Sequence, residues 1–148
     1  MGKFAKKAVE NFKSGYNCAQ SVLLTFAKEV GFDETTALTL ASSFGGGMGR
    51  LREVCGAVSA MFMIAGLKKG YISPNDDLTK AKHYELIQDL ANEFKSEFDS
   101  IICRELLNLS EGTDTPIPSK RTENYYKERP CEEFIKFASE IIERKLLN

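Results

Sequence analysis

The stretch VCGAVSAMFMIAGL, residues 54–67, decides the fold of this chain. It contains no charged residue, and Cys55 and Ser59 supply its only polar side-chain atoms. A helix without a polar face is typical of the buried centre of a protein. The run is shorter than the ~20 residues that a membrane-spanning helix needs. We therefore predict a buried helix from Glu53 to Lys69, with other helices packed around it.

The flanking sequence indicates helices on both sides of this run. Apolar residues recur at helical spacing, and no segment shows the alternation that is typical of a strand. Asn17, with Gln20 three residues later, matches a capping box. The predicted helices cover residues 4–12, 17–30, 33–44, 53–69, 76–98, 103–107 and 130–142, and residues 108–124 are predicted to form a loop. We expect an all-α fold, with one domain over residues 1–148 built as a helical bundle of about six or seven helices around residues 54–67.

Composition narrows the classes of function. The chain has 148 residues, 43% hydrophobic and 28% charged, which is ordinary for one globular domain. A net charge of −1 and scattered basic residues argue against a nucleic-acid partner. The N-terminus lacks the apolar core of a signal peptide, so we expect a cytoplasmic protein without membrane insertion. Thiols are normally reduced in that compartment.

Four cysteines are the candidate catalytic residues. They are Cys18, Cys55, Cys103 and Cys131. No two of them form a CxxC pair, so the close ligand pairs of a zinc ribbon are absent. Each falls at or near the start of a predicted helix, where unpaired N–H groups and the helix dipole favour negative charge. Because the thiolate is the reactive form, this placement predicts lowered pKa values and reactive thiols.

The neighbouring residues support this placement. Cys18 directly follows the predicted cap Asn17, and Cys131 directly follows Pro130. Cys55 lies in the predicted first turn of the central helix.

Basic side chains lie close to two of the thiols in sequence. Arg50 and Arg52 precede Cys55, and Arg104 follows Cys103. Because a nearby cation favours a thiolate, we expect these guanidinium groups to lower the pKa of the thiols next to them in sequence.

A glycine-rich segment precedes the central helix. The glycines of FGGGMGR can adopt positive φ, and we expect Gly45, Gly46 and Gly47 to turn the chain sharply. The residues predicted to bind a cofactor or ligand are Gly45, Gly46, Gly47, Gly49, Arg50 and Gly56. The segment lacks the GK[ST] ending of a phosphate-binding loop, which argues against a nucleotide. A plain helix connector is the alternative interpretation.

The segments GYNCAQSVL, FGGGMGR, CGAVSAMFMIAG and CRELL, followed by Cys131, carry a family resemblance. Together they resemble the redox-active protein family named for its C_GCAxxG_C_C cysteine pattern, over nearly the whole chain. The resemblance implies that the four cysteines are the motif cysteines and that Gly56 and Ala57 are its small residues. The closing glycine of the pattern would fall near Ala60, so this sequence departs from the pattern at that position.

Three functions remain open at this point. The first is thiol redox chemistry, either dithiol–disulfide exchange or electron transfer, which needs no cofactor and would make the protein an oxidoreductase. The second is a metal or iron–sulfur site that uses Cys18, Cys55, Cys103 and Cys131 as ligands. The third is a helical scaffold or partner-binding protein with inert cysteines. We expect the protein to interact with an unidentified redox partner or a small-molecule ligand. Whether it forms a homo-oligomer is left open.

A first thiol pair can be suggested for the redox function. Cys18 and Cys55 both open apolar helices, and small residues flank each of them, so we expect these two thiols to meet. Cys103 and Cys131 would then supply a resolving pair or the remaining ligands.

Overall fold

A computed structural model describes residues 1–110 and 113–147 of the chain. The described residues form eight right-handed α-helices and no β-strand, so the predicted all-α class is confirmed. The helices are α1 Lys3–Lys13, α2 Cys18–Phe26, α3 Glu34–Ala41, α4 Gly56–Lys69, α5 Asp77–Phe98, α6 Cys103–Leu106, α7 Glu123–Glu128 and α8 Cys131–Leu146. Among them, none combines the length and the apolar composition needed to cross a lipid bilayer.

Helix α4 is the buried centre, as the sequence predicts. It packs against α2 and α8, and α1 packs across both of these helices. Met61 and Ile64 of α4 are fully buried. The helix begins at Gly56, however, and not at Glu53. Cys55 is therefore the residue that precedes the helix and not a member of its first turn.

The predicted helix starts at Asn17 and Asp33 are confirmed. The side chain of Asn17 accepts from the backbone N–H of Gln20 at 2.8 Å, and Gln20 accepts from the N–H of Asn17 at 3.2 Å. Asp33 accepts from the N–H of Thr36 at 2.9 Å. The second helix ends earlier than predicted, at Phe26, because the chain turns there towards Gly31, which has a φ of 70°.

Helix α7 was not predicted from the sequence, which assigned its first residues to a loop. Thr122 caps it by accepting from the N–H of Tyr125 at 3.1 Å. Tyr125 and Tyr126 pack their rings against Phe12 of α1. So short a helix shows no apolar periodicity, and its stability comes from these aromatic contacts.

The residues before α4 pair with those before α6. Val54 and Ile102 form an isolated antiparallel bridge. The N–H of Cys55 donates to Ile101 O at 2.8 Å, and the N–H of Cys103 donates to Glu53 O at 2.6 Å. This pairing explains why α4 starts late, and it fixes the starts of two cysteine-bearing helices side by side.

Candidate thiol site

All four cysteines line one cavity of about 430 Å³. Cys18, Cys103 and Cys131 are the first residues of α2, α6 and α8, and Cys55 directly precedes α4. All four are free thiols. Cys55, Cys103 and Cys131 are buried, with 4%, 8% and 5% of their surface exposed, and Cys18 is half-buried. Thiols that are tens of residues apart in sequence thus share one site at four helix N-termini.

The glycine-rich segment forms one wall of this cavity in a left-handed turn. Residues 46–50 all have positive φ, with values of 64°, 66°, 70°, 59° and 66°. The predicted turn is therefore present, but it starts at Gly46, because Gly45 has an extended backbone with φ −70° and ψ 147°. Left-handed backbone costs about 1–2 kcal/mol at a residue with a side chain, here Met48 and Arg50. Such strain is concentrated at functional sites in proteins.

Two of these glycines bring the turn against the cysteine-bearing elements. A Cβ atom added to Gly45 would lie 2.7 Å from side-chain atoms of Asn17, the cap of the Cys18 helix. A Cβ atom added to Gly47 would lie 2.6 Å from Cys103 Cβ and 2.8 Å from Glu53 N. Neither position has room for a side chain. The absence of Cβ atoms therefore allows the glycine-rich segment to pack directly against Asn17 and Cys103.

Gly56 provides a third close approach, between α4 and α2. A Cβ atom added to it would lie 2.9 Å from Ala19 N, 2.9 Å from Phe44 O and 3.1 Å from Cys18 Cβ. The absence of a side chain at Gly56 therefore allows the two helix starts to pack tightly. It places the start of α4, with Cys55, against the start of α2, with Cys18.

The pKa of Cys18 is affected most by its hydrogen bond with Cys131 and less by the charge of Cys55, the partner suggested by sequence. All four thiols are free, so a Cys18–Cys55 pair stays a prediction. The hydrogen bond from Cys18 lowers the pKa of Cys131, and the guanidinium groups of Arg129 and Arg121 add to this effect. The same hydrogen bond, together with burial, raises the pKa of Cys18. Deprotonation of this pair is therefore easier at Cys131 than at Cys18.

The expectation of lowered pKa values at all four helix starts is wrong for three of the thiols. Burial raises the pKa of Cys55 to about 12, and the N–H groups of Val58 and Ala57 only partly oppose this. Burial also raises the pKa of Cys103, although Arg52 acts in the opposite direction. Desolvation of the charged form therefore outweighs the field of the helix terminus at Cys55, and at Cys103 it also outweighs the nearby Arg52.

Arg52 contacts a different thiol from the one next to it in sequence. Its Nη1 donates to Cys103 Sγ at 3.5 Å, across the paired backbones of residues 52–55 and 101–104. Its Nε and Nη2 donate to Asp114 Oδ2 at 3.2 and 2.9 Å. Arg52 itself is buried, with 4% of its surface exposed. The backbone pairing, which the sequence did not reveal, directs this cation to Cys103 and away from Cys55.

Arg50 holds the loop after α6 against the cavity through hydrogen bonds and an ion pair. Its Nε donates to Thr115 O at 2.6 Å, and its Nη2 lies 3.2 Å from Asp114 Oδ2. The N–H of Asp114 donates to Arg50 O at 3.2 Å. Arg104, the other cation expected near a thiol, instead donates to Leu51 O at 2.9 Å.

Sequence reasoning missed two further arginines in the cavity wall. Arg121 donates to Phe12 O at 3.0 Å and to Tyr16 O at 3.1 Å, and its guanidinium lies 4.4 Å from the centre of the Phe12 ring. Arg129 lies over the Tyr125 ring at 5.6 Å. Arg129 stands two residues before Cys131, and that proximity was the available signal. No local pattern marks Arg121, which lies in the predicted loop.

The six residues predicted to bind a ligand all line the cavity. They are Gly45, Gly46, Gly47, Gly49, Arg50 and Gly56. Their binding of a cofactor or ligand stays a prediction.

The four predicted metal ligands are the cysteines that line the cavity. In residues 1–110 and 113–147, no three His, Cys, Asp or Glu side chains are placed to hold a metal ion. The metal or iron–sulfur alternative is therefore not confirmed in the described residues.

Comparison with known families places this chain in a wider group of proteins. The model of the family described as "Putative redox-active protein (C_GCAxxG_C_C)" matches residues 16–145. The chain belongs to this family. The match extends from the residue before Asn17 to the last turn of α8, and thus includes all four cysteines and the glycine turn. No curated protein and no solved structure matches the chain significantly.

Proposed function

We propose that this member of the family is a thiol oxidoreductase that performs dithiol–disulfide exchange with Cys18 and Cys131. The observation that carries the proposal is that both thiols line one cavity, and the hydrogen bond that lowers the pKa of Cys131 supports it. A disulfide requires two sulfur atoms about 2.05 Å apart. No two cysteines of the described residues lie at that distance, so forming the bond requires the two thiols to move together.

The reaction proceeds by two thiolate attacks. Cys131 Sγ attacks one sulfur of a substrate disulfide, forms a mixed disulfide and releases the other sulfur as a thiolate. That thiolate takes up the proton from Cys18. The Cys18 thiolate then attacks Cys131 Sγ and releases the second half of the substrate as a thiolate, which takes a proton from solvent. Two electrons pass to the substrate, and a dithiol reductant must return them to the Cys18–Cys131 disulfide.

The two remaining thiols have different environments in this scheme. Cys55 is buried and, with a pKa of about 12, remains a protonated thiol at neutral pH. Cys103 is held by Arg52, whose cation opposes the effect of burial on its pKa. We propose that neither is the attacking group. A Cys18–Cys55 disulfide is the competing arrangement that the experiment must distinguish.

Oxidation with a small disulfide, followed by peptide mapping, tests the proposal. The parent protein should give one intramolecular disulfide, between Cys18 and Cys131. Cys18→Ser should accumulate a mixed disulfide on Cys131, because the resolving thiol is gone. Cys103→Ser is the matched control and should still form the Cys18–Cys131 bond.

Other outcomes would overturn the proposal. These are a dominant Cys18–Cys55 disulfide, a Cys131 that never forms a mixed disulfide in Cys18→Ser, and bound iron with visible absorbance in anaerobically purified protein.

A further inference from the structure

The wall of the cavity is rich in positive charge. Arg50, Arg52, Arg121 and Arg129 all line it, and the lining contributed by the described residues includes no Asp or Glu. All four arginines are buried or half-buried. Their charges are consequently screened less by solvent than those of exposed side chains.

Nearby carboxylates offset only part of this charge. Arg50 and Arg52 share a single carboxylate, Asp114, at 3.2 and 2.9 Å. Arg121 is directed to two backbone carbonyls and an aromatic ring, which do not neutralise it. The cavity therefore carries an excess of positive charge.

Arg129 has the donors that are free to bind a ligand. In the described part of the chain its guanidinium makes a contact with the Tyr125 ring but no hydrogen bond or ion pair. It lies close enough to Cys131 to lower the pKa of that thiol. A guanidinium with unused N–H groups matches the geometry of a carboxylate or phosphate, which it binds through two parallel hydrogen bonds.

We propose that the cavity binds a small disulfide substrate that carries a carboxylate or phosphate group, and that Arg129 holds this group beside Cys131. The inference rests on the proposed dithiol exchange, for which it names the substrate class. A volume of about 430 Å³ is within the range of small-molecule sites. With only 5% of Cys131 exposed, the disulfide of a folded protein cannot approach this sulfur as a small molecule can.

Two alkylating reagents of nearly the same size provide the test. Iodoacetate carries a carboxylate and iodoacetamide a neutral amide, and both react only with the thiolate. The ratio of their rates at Cys131 is therefore independent of the thiol's pKa and reports the attraction of an anion to the site. We expect this ratio to be about tenfold higher in the folded protein than in the urea-unfolded chain, and to fall as salt is added.

Variants connect the ratio to Arg129. Arg129→Gln should remove most of the preference for iodoacetate, and Arg129→Lys should retain a larger part of it. Lys127→Gln is the matched control, because it removes the same charge from an exposed position of α7 that does not line the cavity. It should leave the ratio unchanged. Protection of Cys131 by inorganic phosphate or by acetate, at constant ionic strength, identifies which oxyanion the site prefers.

Two results would overturn the inference. One is a ratio in the folded protein equal to that of the unfolded chain. The other is an equal decrease in Arg129→Gln and Lys127→Gln. Either result, obtained while the Cys18–Cys131 disulfide still forms, would remove the substrate class and leave the exchange reaction intact. Absence of that disulfide, with the anion preference present, would instead remove the proposed function.

Discussion

At the scale of single residues, one residue type occupies four similar positions and has four different environments. Each cysteine lies at a helix N-terminus, yet only Cys131 has a lowered pKa. The hydrogen bond from Cys18 and the guanidinium groups of three arginines lower it. Cys55 has backbone N–H groups but no cation among its main influences, and burial dominates. The helix position was readable from the sequence, whereas the second group that decides reactivity comes from another part of the chain.

The contrast between Cys55 and Cys131 gives a prediction for the parent protein. With a pKa of about 12, Cys55 should be a thiolate in about one molecule in ten thousand at pH 8. Iodoacetamide at pH 8 should therefore modify Cys131 well before Cys55. Peptide mapping at partial modification measures the order. Equal rates at the two sites would show that Cys55 is neither buried nor protonated as described.

At the scale of elements, the glycine turn and the paired backbones before α4 and α6 assemble the cavity. Sequence reasoning identified the turn because consecutive glycines tolerate positive φ. It did not identify the pairing of Val54 with Ile102, since a single bridge leaves no alternating pattern. It also missed α7, which is too short to show helical periodicity. Long apolar patterns were thus predictable, and short contacts between distant segments were not.

Two alanine substitutions in the turn distinguish the cost of left-handed backbone from the cost of a steric overlap. Gly47 and Gly49 have similar φ values of 66° and 59°. A Cβ atom at Gly49 would have only Ser43 O nearby, at 3.8 Å, so Gly49→Ala should cost about 1–2 kcal/mol. Gly47→Ala should cost clearly more, because its Cβ atom would lie 2.6 Å from Cys103 Cβ. Urea unfolding of both variants checks the difference, and equal losses would contradict the close packing at Cys103.

At the scale of the whole molecule, α4 connects the hydrophobic core to the thiol site. Its apolar residues predicted a central helix, and the structure confirms it. Its start follows Cys55, so the element that stabilises the fold also fixes one wall of the cavity. The location in the cytoplasm and a homo-oligomeric state stay predictions. The positive charge of the cavity comes from arginines that the fold brings together from distant parts of the chain. The net charge of the sequence therefore did not predict it.

A charge introduced into α4 tests its central position. Ile64 is fully buried, and Ile64→Asp would bury a carboxylate without a partner and should prevent stable folding. Leu67 lies three residues further along the same helix with 42% of its surface exposed, so Leu67→Asp is the matched control and should fold. Circular dichroism during thermal unfolding compares the variants. A parent-like melting curve for Ile64→Asp would mean that α4 is peripheral.

The most direct test of the whole account is the pH dependence of alkylation at Cys131 in the parent, Cys18→Ala and Cys18→Ser. Because the lowered pKa of Cys131 depends first on the hydrogen bond from Cys18, its alkylation rate should reach half-maximum below the pH of an ordinary thiol. Cys18→Ala removes the donor and should move this midpoint upward. Cys18→Ser keeps a hydroxyl donor and should remain close to the parent. A parent midpoint at or above that of the unfolded chain, or one unmoved by Cys18→Ala, would contradict the pairing of Cys18 with Cys131.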